Sequence, residues 1–239
     1  MLGQFLEISV TTRDIRASVE FYETLGFTQC RTGDTWPHPY GVLTDGRLFI
    51  GLHEYRFPSP AITTVRPGIA ALVHEYTDLG IKLAFAKTGE DSFNEIGFRD
   101  PSGQMLTILE ARTFFPTERR ATDVSRCGYF TEFSIPCADF GPESAFWEKL
   151  GFVAHEPEDS PYVRQSITGD GLSLGLHRPR TLDRPMLVFV EPQMAERIAA
   201  LRALDVRCSD ELPRGLDPDA NALIESPEGT PLLLLTGES

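Results

Sequence analysis

Residues 5–10 read Phe-Leu-Glu-Ile-Ser-Val and residues 130–135 read Phe-Thr-Glu-Phe-Ser-Ile, so Phe, Glu and Ser recur 125 positions apart. The next stretch repeats in the same register, Glu20-Phe21-Tyr22-Glu23-Thr24-Leu25-Gly26-Phe27 against Ala145-Phe146-Trp147-Glu148-Lys149-Leu150-Gly151-Phe152. Gly51-Leu52-His53 returns as Gly175-Leu176-His177, and Asp100-Pro101-Ser102-Gly103 as Ser226-Pro227-Glu228-Gly229. Landmarks that hold register to within one residue make the chain two copies of one unit, each of about 120 residues, an ordinary domain size. The expected division is 1–112 and 127–239, joined by a linker at 113–126 that shows neither strand nor helix period.

Inside each copy the periods alternate between two and 3.6 residues. Residues 4–10 alternate as a half-buried strand does, and Ile15, Val19, Tyr22 and Leu25 form a helical stripe, with Gly26 placed for a left-handed cap. Short β-like runs follow at 27–31, 40–44 and 47–53, and Asp45-Gly46 marks a hairpin because both positions tolerate positive φ. A second cycle has a strand at 61–65, a helix at 68–79 and strands at 82–86, 95–99 and 104–110. Each unit is thus βαβββ performed twice; the second copy repeats it, with a strand at 186–190 and a helix at 194–203.

Composition narrows the function classes. A net charge of −13 repels a phosphate backbone, so no nucleic-acid partner is expected. No run approaches the roughly 18–20 apolar residues of a membrane helix, so no membrane partner is expected either. Residues 1–7 show no basic region or apolar core of a secretory leader, and four scattered cysteines form no framework, which fits a cytoplasmic protein with reduced thiols.

The Phe-Tyr-x-x-Leu-Gly-Phe helix end at 21–27 and the Phe-x-Asp-Pro-x-Gly hairpin at 98–103, inside a βαβββ–βαβββ unit, resemble the vicinal oxygen chelate superfamily. Its members include glyoxalase I, bleomycin-resistance proteins, fosfomycin-resistance enzymes and extradiol dioxygenases. The resemblance implies an α+β fold of two tandem domains, each a pair of βαβββ modules curling a sheet into a cup. It also implies a divalent metal (Zn, Fe, Ni or Mn) held from four places per cup. In this chain those places fall on Glu7, Gly51, a position near Ala61, and Thr107. In the second copy they fall on Glu132, Gly175, a position near Met186, and Leu233. One carboxylate per cup is too few for such a metal, so no cofactor is expected.

Two residues beyond each glycine stand His53 and His177, on the same strand face as the lost ligand position. The resemblance sets the fourth strand beside the first, pairing His53 with Glu7 and His177 with Glu132. Such a pair can act as an acid–base group or anchor a ligand, whereas a strand glutamate can equally be an ordinary solvated or ion-paired residue. Glu7, His53, Glu132 and His177 are therefore the candidate catalytic residues, and the same four are the alternative metal ligands. Trp36, His38 and Tyr40, in a proline-stiffened loop at the rim, are candidate ligand contacts. The expected function is that of a glyoxalase/bleomycin-resistance-like protein that binds a small organic molecule in its cup. The alternative is an atypical metal-dependent lyase or dioxygenase. Exchange of modules with a second chain, as relatives do, would make a homodimer and stays open.

Overall fold

Four βαβββ modules follow one another along the chain in the computed structural model, which describes residues 2–115, 125–209 and 211–237. The first contains β1 (Gln4–Thr11), α1 (Ile15–Thr24), β2 (Thr28–Thr32), β3 (Tyr40–Thr44) and β4 (Phe49–His53). The second contains β5 (Ala61–Val65), α2 (Ile69–Asp78), β6 (Leu83–Lys87), β7 (Glu95–Arg99) and β8 (Met105–Leu109), after which β9 (Phe114–Phe115) closes the first half. In the second half come β10 (Tyr129–Pro136), α3 (Phe140–Lys149), β11 (Val153–Ala154), β12 (Arg164–Gly169) and β13 (Leu172–His177). The last module is β14 (Met186–Glu191), α4 (Met194–Arg202), β15 (Cys208–Ser209), β16 (Ala222–Glu225) and β17 (Pro231–Thr236).

Each half builds one sheet with the same internal order. The first runs β6-β7-β8-β5-β1-β4-β3-β2-β9 and the second β11-β12-β13-β10-β14-β17-β16-β15. The first strand of each half pairs parallel with the fourth and antiparallel with the fifth. This α+β architecture is the tandem pair of cups that the resemblance implied.

Local chemistry explains the elements. Asp14 caps α1 by accepting from the Ala17 backbone N–H at 3.1 Å, and Gly26, at φ +89°, ends it in the left-handed region that a side chain disfavours. The hairpin after β3 departs from the two-residue turn expected there. Thr44 pairs with Phe49, so the loop spans 45–48 and only Gly46 takes positive φ. Asp45 instead accepts from the backbone of Arg47 and Leu48 through one oxygen, an Asx turn that needs no left-handed aspartate.

The span expected as a linker is also partly structured. Gly33 donates to the Thr113 carbonyl, and Phe114–Phe115 pair with Arg31 and Thr32 at the sheet edge. Residues 116–124 of that span lie outside the described residues.

The helices of both halves feed one apolar core that includes Tyr22, Leu25, Tyr76, Phe98, Trp147 and Ile198. Two polar latches cross it. Ser18 and Tyr22 of α1 donate to Glu228 of the second half's last hairpin, at 2.9 and 2.6 Å. Reciprocally, Ser102 of the first half's hairpin and Trp147 both donate to Glu143 of α3, at 2.5 and 3.1 Å.

Candidate functional site

The concave face of the first sheet opens into a cavity of about 460 Å³ lined by Glu7, Ser9, Trp36, His38, His53 and Thr63, among others. A wider groove of about 750 Å³ lies beside Arg207 and Asn221 at the far edge of the second sheet and holds none of the candidate residues. The cavity in the first cup is the candidate site because the polar groups converge there.

A β-bulge shapes it. The register of β1 against β5 shifts between Phe5 and Glu7, so the strand gains a residue just where the carboxylate must turn inward. The same shift recurs in β10 between Phe130 and Glu132. Glu7 is 1% exposed, and its carboxylate lies over Gly51 so closely that a Cβ there would fall 2.1 Å from Oε1. The glycine at the family's fourth-strand position therefore marks space that the Glu7 side chain occupies. Gly175 bears the same relation to Glu132.

Both oxygens of Glu7 are engaged. Oε1 accepts from Ser9 Oγ at 2.7 Å and lies 3.3 Å from His53 Nε2, while Oε2 accepts from Tyr40 OH at 2.6 Å. Tyr40 also contacts Thr113 Oγ1 at 2.8 Å, and burial, reinforced by Glu7, raises its hydroxyl pKa well above the usual range. Tyr40 therefore stays a donor. On the other side of the ring, His53 Nδ1 lies 3.0 Å from His38 Nε2. Three expected residues and Glu7 thus form one row, Tyr40–Glu7–His53–His38. His38 is stacked between Trp36 and Tyr55, with centroids 5.7 and 5.0 Å away.

The row suits hydrogen bonding and does not suit a divalent ion. The residues in strand register with Glu7 are Thr63 on β5 and, beyond it, Thr107 on β8. Thr63, two residues past the expected Ala61, is thus the fifth-strand position, and neither threonine is a strong ligand. Glu7 and His38 face opposite nitrogens of His53, so the three side chains cannot converge on one point. Among the described residues no group of three His, Cys, Asp or Glu is placed to hold a metal.

The second cup has a different content, and the expected Glu132–His177 pair does not form. His177 is wholly buried, with Nδ1 against Ser134 Oγ at 2.8 Å and Nε2 donating to the Leu182 carbonyl at 2.9 Å. Burial holds its pKa down to about 4, against the pull of that carbonyl, so it is neutral at pH 7. Glu132 instead meets Arg164 at 3.5 Å, and its Oε1 lacks a hydrogen-bond partner among the described residues. Burial raises the Glu132 pKa and Arg164 lowers it, the first effect prevailing.

Register explains the divergence. Tyr40 pairs with His53 as Arg164 pairs with His177, so Arg164 replaces Tyr40, and Tyr162 stands where His38 stands. Val188 and Leu233 replace the two threonines, and they join Tyr162, Leu182 and Met186 in a buried apolar cluster. His177→Ala is accordingly expected to cost about 2 kcal/mol of stability by stripping the Leu182 carbonyl and Ser134 of partners. Urea unfolding measures the loss, and ligand binding in the first cup should not change.

Ser9, Thr63 and Thr113 were not among the expected site residues. Ser9 had a signal, its recurrence as Ser134. Thr113 had none, because its role comes from the chain crossing back over β2.

Residues 4–120 match the sequence model of a family described as "Glyoxalase/Bleomycin resistance protein/Dioxygenase superfamily". No curated protein sequence matches the chain. Solved structures similar to it include a catechol 2,3-dioxygenase at 13% identity, with TM-score 0.60 over 98% of this chain and 88% of that one. Another is homoprotocatechuate 2,3-dioxygenase from Arthrobacter globiformis, at 17% identity and TM-score 0.64, covering 99% and 80%. An extradiol ring-cleaving dioxygenase from B. fuscum matches at 16% and TM-score 0.63, covering 99% and 72%. At these identities the likeness is one of fold.

Proposed function

We propose, from the match of residues 4–120 to the Glyoxalase/Bleomycin resistance protein/Dioxygenase superfamily, that the first cup of this chain binds a small organic molecule without a divalent ion, while the second cup serves as structure. The observation that carries the reading is the saturation of Glu7: Ser9, Tyr40 and His53 surround the carboxylate that a metal would need. The walls add shape preference. Trp36, Tyr55, Phe57 and Phe85 line the cavity, and Arg56 and Lys87 reach it from the loop after β4 and from the edge strand β6. Flat ligands carrying an anionic group suit such a lining.

Trp36 is one of only two tryptophans, and the other, Trp147, is wholly buried between the halves. Its fluorescence therefore reports the first cup. Titration with 3-phenylpropionate is expected to quench it saturably, with the same affinity in EDTA. Glu7→Gln, which breaks the pattern of donors around the carboxylate, is expected to weaken binding by about tenfold, or roughly 1.4 kcal/mol. Binding that EDTA abolishes and added Fe, Zn, Ni or Mn restores would replace this reading with the metal-dependent lyase or dioxygenase.

A further inference from the structure

The row of rings in the first cup has a direction that its hydrogen bonds set when both imidazoles are neutral. A carboxylate only accepts, so His53 Nε2 carries the proton that faces Glu7 Oε1. Nδ1 of a neutral His53 is then bare, and it accepts from Nε2–H of His38. That fixes the proton of a neutral His38 on Nε2 and leaves its Nδ1 as a lone pair without a partner among the described residues. His38 lines the cavity, and stacking between Trp36 and Tyr55 holds its ring plane. The tautomer of each ring is set by the next group along, and the far end is an oriented base.

We propose that His38 is the proton acceptor of this cup, and that the His38–His53–Glu7 row catalyses a metal-independent proton shift on an aromatic, enolisable carbonyl compound bearing an anionic group. The inference rests on the ligand-binding reading of the same cup. Nδ1 takes a proton from the carbon beside the carbonyl, and the C–H electron pair becomes the carbon–carbon double bond of an enolate. The carbonyl electrons move to oxygen. As His38 becomes cationic, its Nε2 proton can pass to His53 Nδ1, which places the positive charge next to Glu7. Return of a proton to oxygen gives the enol, and return to carbon regenerates the ketone. Nothing is oxidised or reduced, and no co-reactant is consumed. Burial, and then His53, lower the pKa of His38, which keeps it unprotonated and available at neutral pH.

The chemistry needs an imidazole base in the cavity wall, and the second cup has Tyr162, part of a buried apolar cluster, two residues before Arg164 where the first has His38 two residues before Tyr40.

The test uses the full chain and two probes of similar shape. Phenylpyruvate has an enolisable CH2 between its ring and its keto group, and 3-phenylpropionate lacks the keto group. In D2O the wild type is expected to speed deuterium incorporation at the phenylpyruvate CH2. His38→Gln is expected to reduce that rate at least a hundredfold at saturating phenylpyruvate, with 3-phenylpropionate still quenching Trp36 saturably. Glu7→Gln is expected to slow exchange about tenfold and to alter the His53 tautomer read from ring ¹⁵N shifts. His177→Ala is expected to leave the rate unchanged. Binding of 3-phenylpropionate without enhanced exchange, or exchange indifferent to His38→Gln, would overturn the proposal and leave the binding reading intact. Failure of 3-phenylpropionate to bind would remove both.

Discussion

Gly51→Val is expected to destabilise the protein by about 3 kcal/mol and to abolish ligand quenching of Trp36. The Cβ alone would stand 2.1 Å from Glu7 Oε1 and 2.3 Å from its carboxyl carbon, and valine adds two methyl groups to that space. Glu7 cannot step aside cheaply, because Ser9, Tyr40 and His53 hold it within a strand pair that is almost free of solvent. Either the hydrogen bonds break or β1 and β4 separate. The decisive comparison is a double-mutant cycle. In a Glu7→Ala background the same valine should cost less than half as much, because the atoms it strikes are gone. Additive losses in urea unfolding would show that Gly51 serves the backbone rather than the carboxylate.

Asp100→Asn is expected to stabilise the protein by about 2–4 kcal/mol at pH 8 and to change it little at pH 4. Asp100 is 5% exposed at the seam between the halves, and burial, aided by the Glu143 carboxyl, pushes its pKa up to about 8. An unfolded aspartate titrates near 4. A raised folded value means that the folded state binds the proton more tightly. The site's contribution is thus fully present below about pH 4, falls by about 1.4 kcal/mol per unit as pH rises, and is lost above about pH 8. Asparagine keeps the acceptor that takes the Gln104 backbone N–H at 2.7 Å and presents an amide toward Glu143. Stability followed by urea unfolding from pH 4 to 9 should slope downward in the wild type and lie flatter in the variant. Parallel curves would mean that the two carboxyl groups do not share a proton in the folded chain.

The sequence was most informative where a period or a repeat acted locally. The four modules follow from strand alternation, helical stripes and glycine caps, and β3, β5 and β7 fall on the expected residues. Glu7 beside His53 follows from pairing β1 with β4, which the family resemblance supplied. Symmetry misled for the second cup. Identical spacing put Glu132 and His177 in matching places, yet the partners that decide their roles come from β12 and from Leu182, where the copies differ. The one-residue offset between the copies hid the exchange of Tyr40 for Arg164 and of the cup's threonines for Val188 and Leu233. A contact such as Tyr40 with Thr113 spans 73 residues and leaves no local trace.

The two latches across the seam are chemically opposite, and this bears on which halves can recognise one another. In one, the acid (Glu228) sits on the hairpin and neutral donors sit on the helix; in the other, the helix carries Glu143 and the hairpin carries Ser102 and Asp100. Two second halves brought together by the same rotation would press Glu143 against Glu228, carboxylate to carboxylate. Such a contact would weigh against the pairing of two second halves and in favour of a second half with a first. A tandem gene supplies that partner at fixed stoichiometry and within reach of a short tether.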